Sequence, residues 1–113
     1  MLALSHIPNV PQEILGIANR HGNALLMLDL RHAFKIEASP LTVSTLFIVA
    51  QNGETLVGLV VDEIFQVRYV DRQAVKQAHG TGRYIKQIIS SEQLLYQVLD
   101  LQVLLDQYLI HIQ

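Results

Sequence analysis

The chain has 113 residues, of which 50% are apolar and 16% are charged, so it suits one domain or two very small ones that share a core. Its net charge of −2 provides no basic surface for nucleic acid, and its lack of cysteine excludes disulfides and thiolate metal sites. No apolar run is long enough to span a membrane, and no secretory signal stands at the start. We therefore expect a cytoplasmic protein without nucleic-acid partners or direct membrane insertion, whose apolar surface contacts other proteins.

The first element predicted from the sequence is a short N-terminal helix. Asn9 suits an N-cap, Pro11 falls in the first turn and Gln12 occupies the capping-box position, and an apolar stretch follows. A turn at residues 22–23 then leads to residues 24–30, which are almost continuously apolar. We predict that this run is a strand buried on both faces.

The middle of the chain predicts a hairpin and a further strand. Residues 37–44 have the composition of a linker between two units. Residues 46–50 and 56–61 flank Asn52-Gly53, and Asn-Gly between two β-rich runs is a strong hairpin signal because both residues tolerate positive φ. In residues 63–70 apolar and polar residues alternate, as they do in a half-buried strand.

The last third of the chain predicts a loop, a second hairpin and a helix. Residues 71–83 are polar and are predicted to form a loop with one helical turn, and residues 84–89 and 94–99 flank a polar turn. Asp100 can then cap a helix whose apolar residues recur at helical spacing, namely Leu101, Leu104, Leu105, Tyr108 and Leu109. Short strands at close spacing with few helices favour a mostly β fold of small barrels.

An internal repeat relates the two halves of the chain. Residues 14–34 align without a gap on residues 85–105, so that Leu28-Asp29-Leu30 falls on Leu99-Asp100-Leu101. Such self-similarity indicates two copies of one structural unit. The hairpin and strand of residues 46–70 precede the second copy, whereas only thirteen residues precede the first. We therefore expect the chain to begin in the middle of its first unit.

Catalytic and metal-binding motifs are scarce. The five histidines lack the spacing of a metal site, and no G-x-S-x-G motif exposes a serine nucleophile. Gly80-Thr81-Gly82 could hold an anion, but the strand, helix and lysine of a phosphate loop do not accompany it, which favours a plain loop. Asp29 and Asp100 occupy equivalent positions before helical segments, which favours helix capping over catalysis. A small enzyme thus has no convergent acid–base set to support it.

Three stretches of the sequence, taken in order, resemble one protein family. Residues 14–22 (ILGIANRHG) and 28–31 (LDLR) resemble the GxINLRGxxxPVxDLR stretch of CheW-like chemotaxis coupling domains. Residues 58–64 (GLVVDEI) with Val67 resemble the second signature of that family, VGLLVDxVxxV. The C-terminal element of the family is matched at residues 84–85, 98–101 and 104–105.

The resemblance implies a mostly β domain over residues 1–113, made of two SH3-like five-stranded barrels with the first barrel incomplete. Residues 1–36 would be the remnant of the first subdomain and residues 45–113 the second. It also implies a non-enzymatic adaptor without a cofactor, acting in chemotaxis-type two-component signal transduction. Its partners would be the cytoplasmic tip of a chemoreceptor and the regulatory domain of a chemotaxis histidine kinase.

The resemblance further implies a set of partner-binding residues. They match the two motifs or flank them: Asn19, His21, Gly22, Asp29, Arg31, Gly58, Val60, Val61, Asp62, Ile64 and Val67. Glycines in such motifs permit tight turns or close backbone approach, and the apolar members would supply contact area. The alternative for each residue is that it only holds the fold together.

The incomplete first barrel has a consequence for assembly. Open strand edges carry unpaired N–H and C=O groups that pair readily with another chain. We therefore expect a homodimer or a strand-swapped oligomer. This leaves an alternative function open, in which the chain is a dimerising partial paralogue that acts as a decoy or regulator of the signalling array.

One departure from the family motif predicts a pH effect. His21 stands where a partner-contacting arginine is usual, so a permanent charge and a bidentate donor are replaced by imidazole. We therefore expect either weaker docking to the receptor tip or, because histidine changes its charge between about pH 5 and pH 8, an affinity that differs between about pH 6 and pH 8. Calorimetric titration at both values tests this, and an unchanged affinity would exclude the switch.

Overall fold

The computed structural model describes residues 2–78 and 82–110. The chain divides into two compact units, Met1–Phe65 and Gln66–Gln113. The first unit contains five strands and one short helix, namely β1 (Leu4–Ser5), β2 (Ile14–Arg20), β3 (Asn23–Asp29), α1 (Leu30–Ala33), β4 (Leu46–Asn52) and β5 (Thr55–Val61). The strands form a single sheet in the order β1-β2-β3-β5-β4, in which β3 and β5 run parallel and the other neighbours antiparallel.

The predicted N-terminal helix is wrong, because the apolar residues after Gln12 belong to β2. Burial in β2 alternates with a period of two, so that Ile14, Gly16 and Ala18 are buried and Ile17 is exposed. Asn9 has a φ of 59°, which is not the extended conformation of an N-cap. A short apolar run cannot distinguish helix from strand by itself, and pairing with β3 decides in favour of the strand.

The centre of the sheet is β3, which lies between β2 and β5. Leu25 and Met27 join Ala18 and Val60 in a buried cluster on one face. Leu26 and Leu28 point to the other face, because successive side chains of a strand alternate, and they are also buried. The prediction of a strand buried on both faces is therefore confirmed.

The first predicted hairpin is confirmed, with a turn one residue later than expected. Asn52 pairs with Thr55, so Gly53 and Glu54 form the turn, and only Gly53 has a positive φ. The hairpin joins the first sheet through the parallel pairing of β5 with β3. The predicted subdomain boundaries stay a prediction, but β4 and β5, which that division assigned to the second subdomain, lie in the first unit.

The second unit contains a three-stranded antiparallel sheet in the order β6-β7-β8. A 3-10 turn at Arg72–Ala74 precedes β6 (Val75–Gln77), β7 (Ile85–Ser91), β8 (Leu94–Leu99) and α2 (Leu101–Leu109). The predicted second hairpin and C-terminal helix are thus confirmed, and so is the helical turn of the predicted loop. The proposed anion loop includes Gly80 and Thr81, which fall outside the described residues.

The strand predicted at residues 63–70 is wrong, because these residues form no strand. Their side chains are exposed, and Phe65, Val67 and Tyr69 are 79%, 94% and 102% exposed. Alternation shows that a segment suits a sheet, but a strand forms only where a neighbouring strand takes up its backbone groups. The sheet of the first unit has five strands and that of the second unit has three, so the strand counts do not support the prediction that the first barrel is the incomplete one. The closure of either sheet into an SH3-like barrel stays a prediction.

The internal repeat is confirmed down to its irregularities, at an offset of 71 residues. The ladder between β2 and β3 has a bulge between Ile14 and Gly16, and the ladder between β7 and β8 has one between Ile85 and Gln87. The N–H of Asp29 donates to the carbonyl of Glu13 at 2.8 Å, and the N–H of Asp100 donates to that of Tyr84 at 2.6 Å. Each copy is therefore a bulged hairpin followed by an Asp-capped helix.

The bulge of the first copy predicts a glycine requirement. Gly16 has a φ of +139°, and a Cβ there would collide with the carbonyl oxygen of Ser5 in β1. We expect Gly16→Ala to lower the free energy of unfolding in urea by about 3–5 kcal/mol, through backbone strain and overpacking. Gly53→Ala is the matched control, because Gly53 also has a positive φ, of +62°, but an added Cβ would have no atom within 4 Å. This variant has only the backbone strain and should cost about 1–2 kcal/mol. Equal losses would show that contact with β1 does not matter.

Candidate partner-binding site

The carboxyl ends of β3 and β5 bring the charged residues of both sequence motifs together. Because the two strands are parallel neighbours, they end at the same edge of the sheet, and Asp29 pairs in register with Val60. Asp62 follows β5 directly, and Arg31 lies in α1 directly after β3. The sequence motifs predicted all three residues as partner-binding residues, but they did not predict that the three lie close together.

Asp29 begins α1 as its N-cap, as the repeat predicted. Its Oδ1 accepts a hydrogen bond of 3.0 Å from the backbone N–H of Arg31. The residue is only 1% exposed, and an isolated carboxylate at this depth would be strongly destabilising. The charge is therefore tolerated only together with a buried cationic partner.

That partner is the side chain of Arg31, which is itself 5% exposed. Its Nε donates to Oδ1 of Asp29 at 3.0 Å and its Nη2 to Oδ2 at 3.1 Å, which is a bidentate fork. Its Nη1 donates to Oδ1 of Asp62 at 3.3 Å. The hydrogen bond to Asp29 raises the pKa of Arg31, burial opposes this, and Asp62 adds to the increase. Arg31 thus links β3, α1 and the end of β5.

The same edge opens into a hollow of about 280 Å³. Besides Arg31 and Asp62, it is lined by the loop before β4 and by strand ends, namely Ser39, Pro40, Thr42, Ser44, Thr45, Leu46 and Val61. Within the loop, the N–H of Thr42 donates to Oγ1 of Thr45 at 2.8 Å and the N–H of Ser44 donates to Oγ1 of Thr42 at 3.1 Å. The hollow therefore adjoins the cluster of Asp29, Arg31 and Asp62 at the carboxyl ends of β3 and β5, which we call the charged edge.

The predicted residues Asn19, His21 and Gly22 lie elsewhere. They form the tight turn between β2 and β3, in which Oδ1 of Asn19 accepts from the N–H of Gly22 at 3.0 Å. His21 has a φ of 54° and Gly22 one of 82°. Histidine is among the residues enriched in this left-handed region, so its presence has a backbone reason. Since β3 is seven residues long, this exposed turn lies roughly 20 Å from Asp29.

The remaining predicted residues differ in how exposed their side chains are to solvent. Gly58 and Val60 are buried in β5, where a Cβ on Gly58 would collide with the side chain of Met27. Val61 is half-buried, while Asp62 is partly exposed and Ile64 and Val67 are exposed. The set is therefore not one surface: Asp29, Arg31, Gly58 and Val60 have internal contacts, and the others are accessible to a partner.

Sequence reasoning missed two exposed neighbours of Val67, namely Phe65 and Tyr69. The signal was present as the alternation of apolar and polar residues in residues 63–70, but it was interpreted as a half-buried strand. Residues 64–70, which we call the exposed apolar segment, follow Asp62 and Glu63 in the sequence; Phe65 is the last residue of the first unit, and Val67 and Tyr69 belong to the second.

The described part of the chain has neither a group of side chains suited to a metal ion nor a membrane-spanning helix. Within residues 2–78 and 82–110, no three His, Asp or Glu side chains are grouped so that they could hold a metal ion. His79 and His111 lie outside these ranges. Among the described helices, none is long and apolar enough to cross a bilayer.

Comparison with known proteins identifies the family. The CheW-like domain matches residues 1–108. The chain belongs to the CheW-like domain family. Among solved structures, the crystal structure of the scaffolding protein TtCheW from Thermoanaerobacter tengcongensis is similar, with a TM-score of 0.77 and 20% sequence identity over 87% of this chain and 70% of that chain. At this identity the likeness shows a shared fold. No curated protein matches the chain.

The charged edge predicts unequal effects of its members on stability. Arg31→Met should lower the free energy of unfolding by about 3–5 kcal/mol, because the carboxylate of Asp29 stays buried without its counter-charge. Asp62→Asn should cost at most about 1 kcal/mol, since the side chain of Asp62 is 54% exposed. Urea denaturation followed by circular dichroism measures both. An Asp62 effect as large as that of Arg31 would contradict the assigned hierarchy.

Proposed function

We propose that this CheW-like chain is a non-enzymatic adaptor in chemotaxis-type two-component signal transduction. It couples the cytoplasmic tip of a chemoreceptor to the regulatory domain of a histidine kinase, and it acts in the cytoplasm. The observation that carries the proposal is the match of the CheW-like domain to residues 1–108. The fold shared with TtCheW, which is described as a scaffolding protein, supports the same conclusion.

An adaptor needs two separate contact surfaces, and the first unit offers two. The turn that carries Asn19 and His21 lies at one end of β3, and the charged edge with Asp62 and Ile64 lies at the other. Both are accessible, because His21, Asp62 and Ile64 are exposed. We assign the receptor tip to the turn, where the family motif has its partner-contacting arginine.

We assign the kinase regulatory domain to the opposite end of β3, where the exposed apolar segment begins at Ile64. Ile64 is 49% exposed and Val67 is 94% exposed, and two aromatic side chains, Phe65 and Tyr69, lie in the same segment. Large apolar groups that are exposed together mark protein interfaces, and aromatic residues are enriched at the core of such interfaces. Arg68 is the one charged residue of the segment, and Glu63 directly before it has the opposite charge, so contact area rather than net charge would provide the affinity.

A second candidate is the dimerising decoy or regulator of the signalling array. The observation that favours it is the outer edge of β4, with which no strand of residues 2–78 and 82–110 pairs. In that case one binding surface would be used and the bridge between receptor and kinase would not form.

A matched pair of variants tests the kinase assignment by calorimetry. The wild-type chain is expected to bind the regulatory domain with micromolar affinity, and Val67→Asp should weaken binding at least tenfold, or about 1.4 kcal/mol, because it places a charge at the core of the interface. Val43→Asp is the control, since Val43 is similarly exposed at 88% and lies in the loop before β4. Equal weakening by both variants would refute the assignment. A folded wild-type chain that does not bind would favour the decoy.

A further inference from the structure

The two outer strands of the first sheet, β1 and β4, differ in how much backbone they leave unpaired. On one side the sheet ends in β1, which is only two residues long. On the other side it ends in β4, which is seven residues long and pairs with β5 in an unbroken register from Leu46–Val61 to Asn52–Thr55. In the part of the chain that the structure describes, no strand pairs with the outer edge of β4.

β4 lacks the features by which sheet edges normally avoid pairing. Such edges carry a charged side chain, a proline or a bulge, and β4 (LFIVAQN) has none of these. Residues 38–53 contain no charged side chain at all. Leu46, Ile48 and Val49 are 44%, 44% and 40% exposed, so apolar side chains on both faces of the strand are accessible.

We propose that β4 is a dimerisation strand that pairs antiparallel with β4 of a second copy of this chain. A two-fold axis through Val49 allows all seven residues to pair and extends the sheet through both copies. In this register Val49 faces Val49 of the second copy, Ile48 faces Ala50 and Phe47 faces Gln51. No like charges oppose one another, because the strand has no charges, so the edge is compatible with itself.

The chain's own exposed segment is a poor competitor for this edge. It leaves β5 at Val61, which pairs with Leu46 at the first residue of β4. To reach the outer edge of β4, the backbone would have to pass two interstrand spacings, about 9.5 Å, and arch over the strand. Only Asp62 and Glu63 separate Val61 from Ile64, and three peptide steps reach about 10 Å when fully extended. Pairing that starts at Ile64 would use this whole length for the straight-line distance and leave no backbone for the arch. A second copy meets no such restriction.

The absence of cysteine allows a direct test of the register. Val49→Cys should form a disulfide-linked dimer under mild oxidation at micromolar concentration, because the two thiols face each other across the axis within the Cα separation that a disulfide spans. Gln51→Cys is the matched control on the same face of the strand. Its two copies would lie four positions apart along the strand, roughly 13 Å, which is too far to bridge. Non-reducing electrophoresis and intact mass measure the yields, and equal yields would refute the register.

Light scattering tests the interface without a cross-link. The wild-type chain should be a dimer, and Ile48→Lys should weaken dimerisation at least tenfold by placing two ammonium groups diagonally across the interface. Val43→Lys should leave the dimer intact, because Val43 lies outside β4. A wild-type chain that remains monomeric at high micromolar concentration would overturn the proposal. Neither measurement uses the kinase or the receptor, so this proposal and the adaptor function can fail separately.

Discussion

The buried carboxylate of Asp29 is the constraint on which the first unit depends. It sits at the carboxyl end of the central strand, where it caps α1 and receives the guanidinium fork of Arg31. Through Arg31 it is connected to Asp62 at the end of β5. Parallel strands need a long crossover connection, which here consists of residues 30–54. The ion-pair network connects the carboxyl ends of both strands at the point where this crossover begins. Removing Arg31 leaves the buried carboxylate of Asp29 without the guanidinium that neutralises it, whereas removing Asp29 leaves Arg31 with Asp62 as its remaining partner.

Comparison of the two repeat copies shows which features both copies share and which occur only in the first. Both copies have the bulged hairpin and the Asp cap, and Asp100 accepts from the N–H of Val103 at 3.2 Å as the cap of α2. At the position equivalent to Arg31 the second copy has Gln102, whose side chain bonds to Asp106 instead. Its helix is nine residues long, whereas α1 has four. The repeat therefore specifies a hairpin and a cap, and the buried fork belongs to the first copy.

The elements that were predicted correctly have local signals, although the local cap signal at Asn9 also predicted a helix where the chain forms β2. Asp caps, tight turns and helical spacing lie within a few residues of the features they determine, and the hairpins and α2 were predicted from them. The parallel pairing of β3 with β5 joins residues about thirty apart, and no local pattern encodes it. For the same reason the segment 63–70 was predicted as a strand although no neighbour pairs with it. The motif residues Asp29 and Arg31 were found, but their burial depends on that nonlocal pairing.

This arrangement changes how the family motifs can act in an adaptor. Asp29 and Arg31 are too deeply buried for a partner to touch, so their effect on binding is to fix the edge of the sheet. Asp62 differs, because its side chain is 54% exposed and yet accepts from Arg31. Under the proposed function, a partner that contacts this edge would reach the buried network through Asp62, and Ile64 and Phe65 of the same unit would supply apolar area. Asp62 would then have both a structural and a binding role.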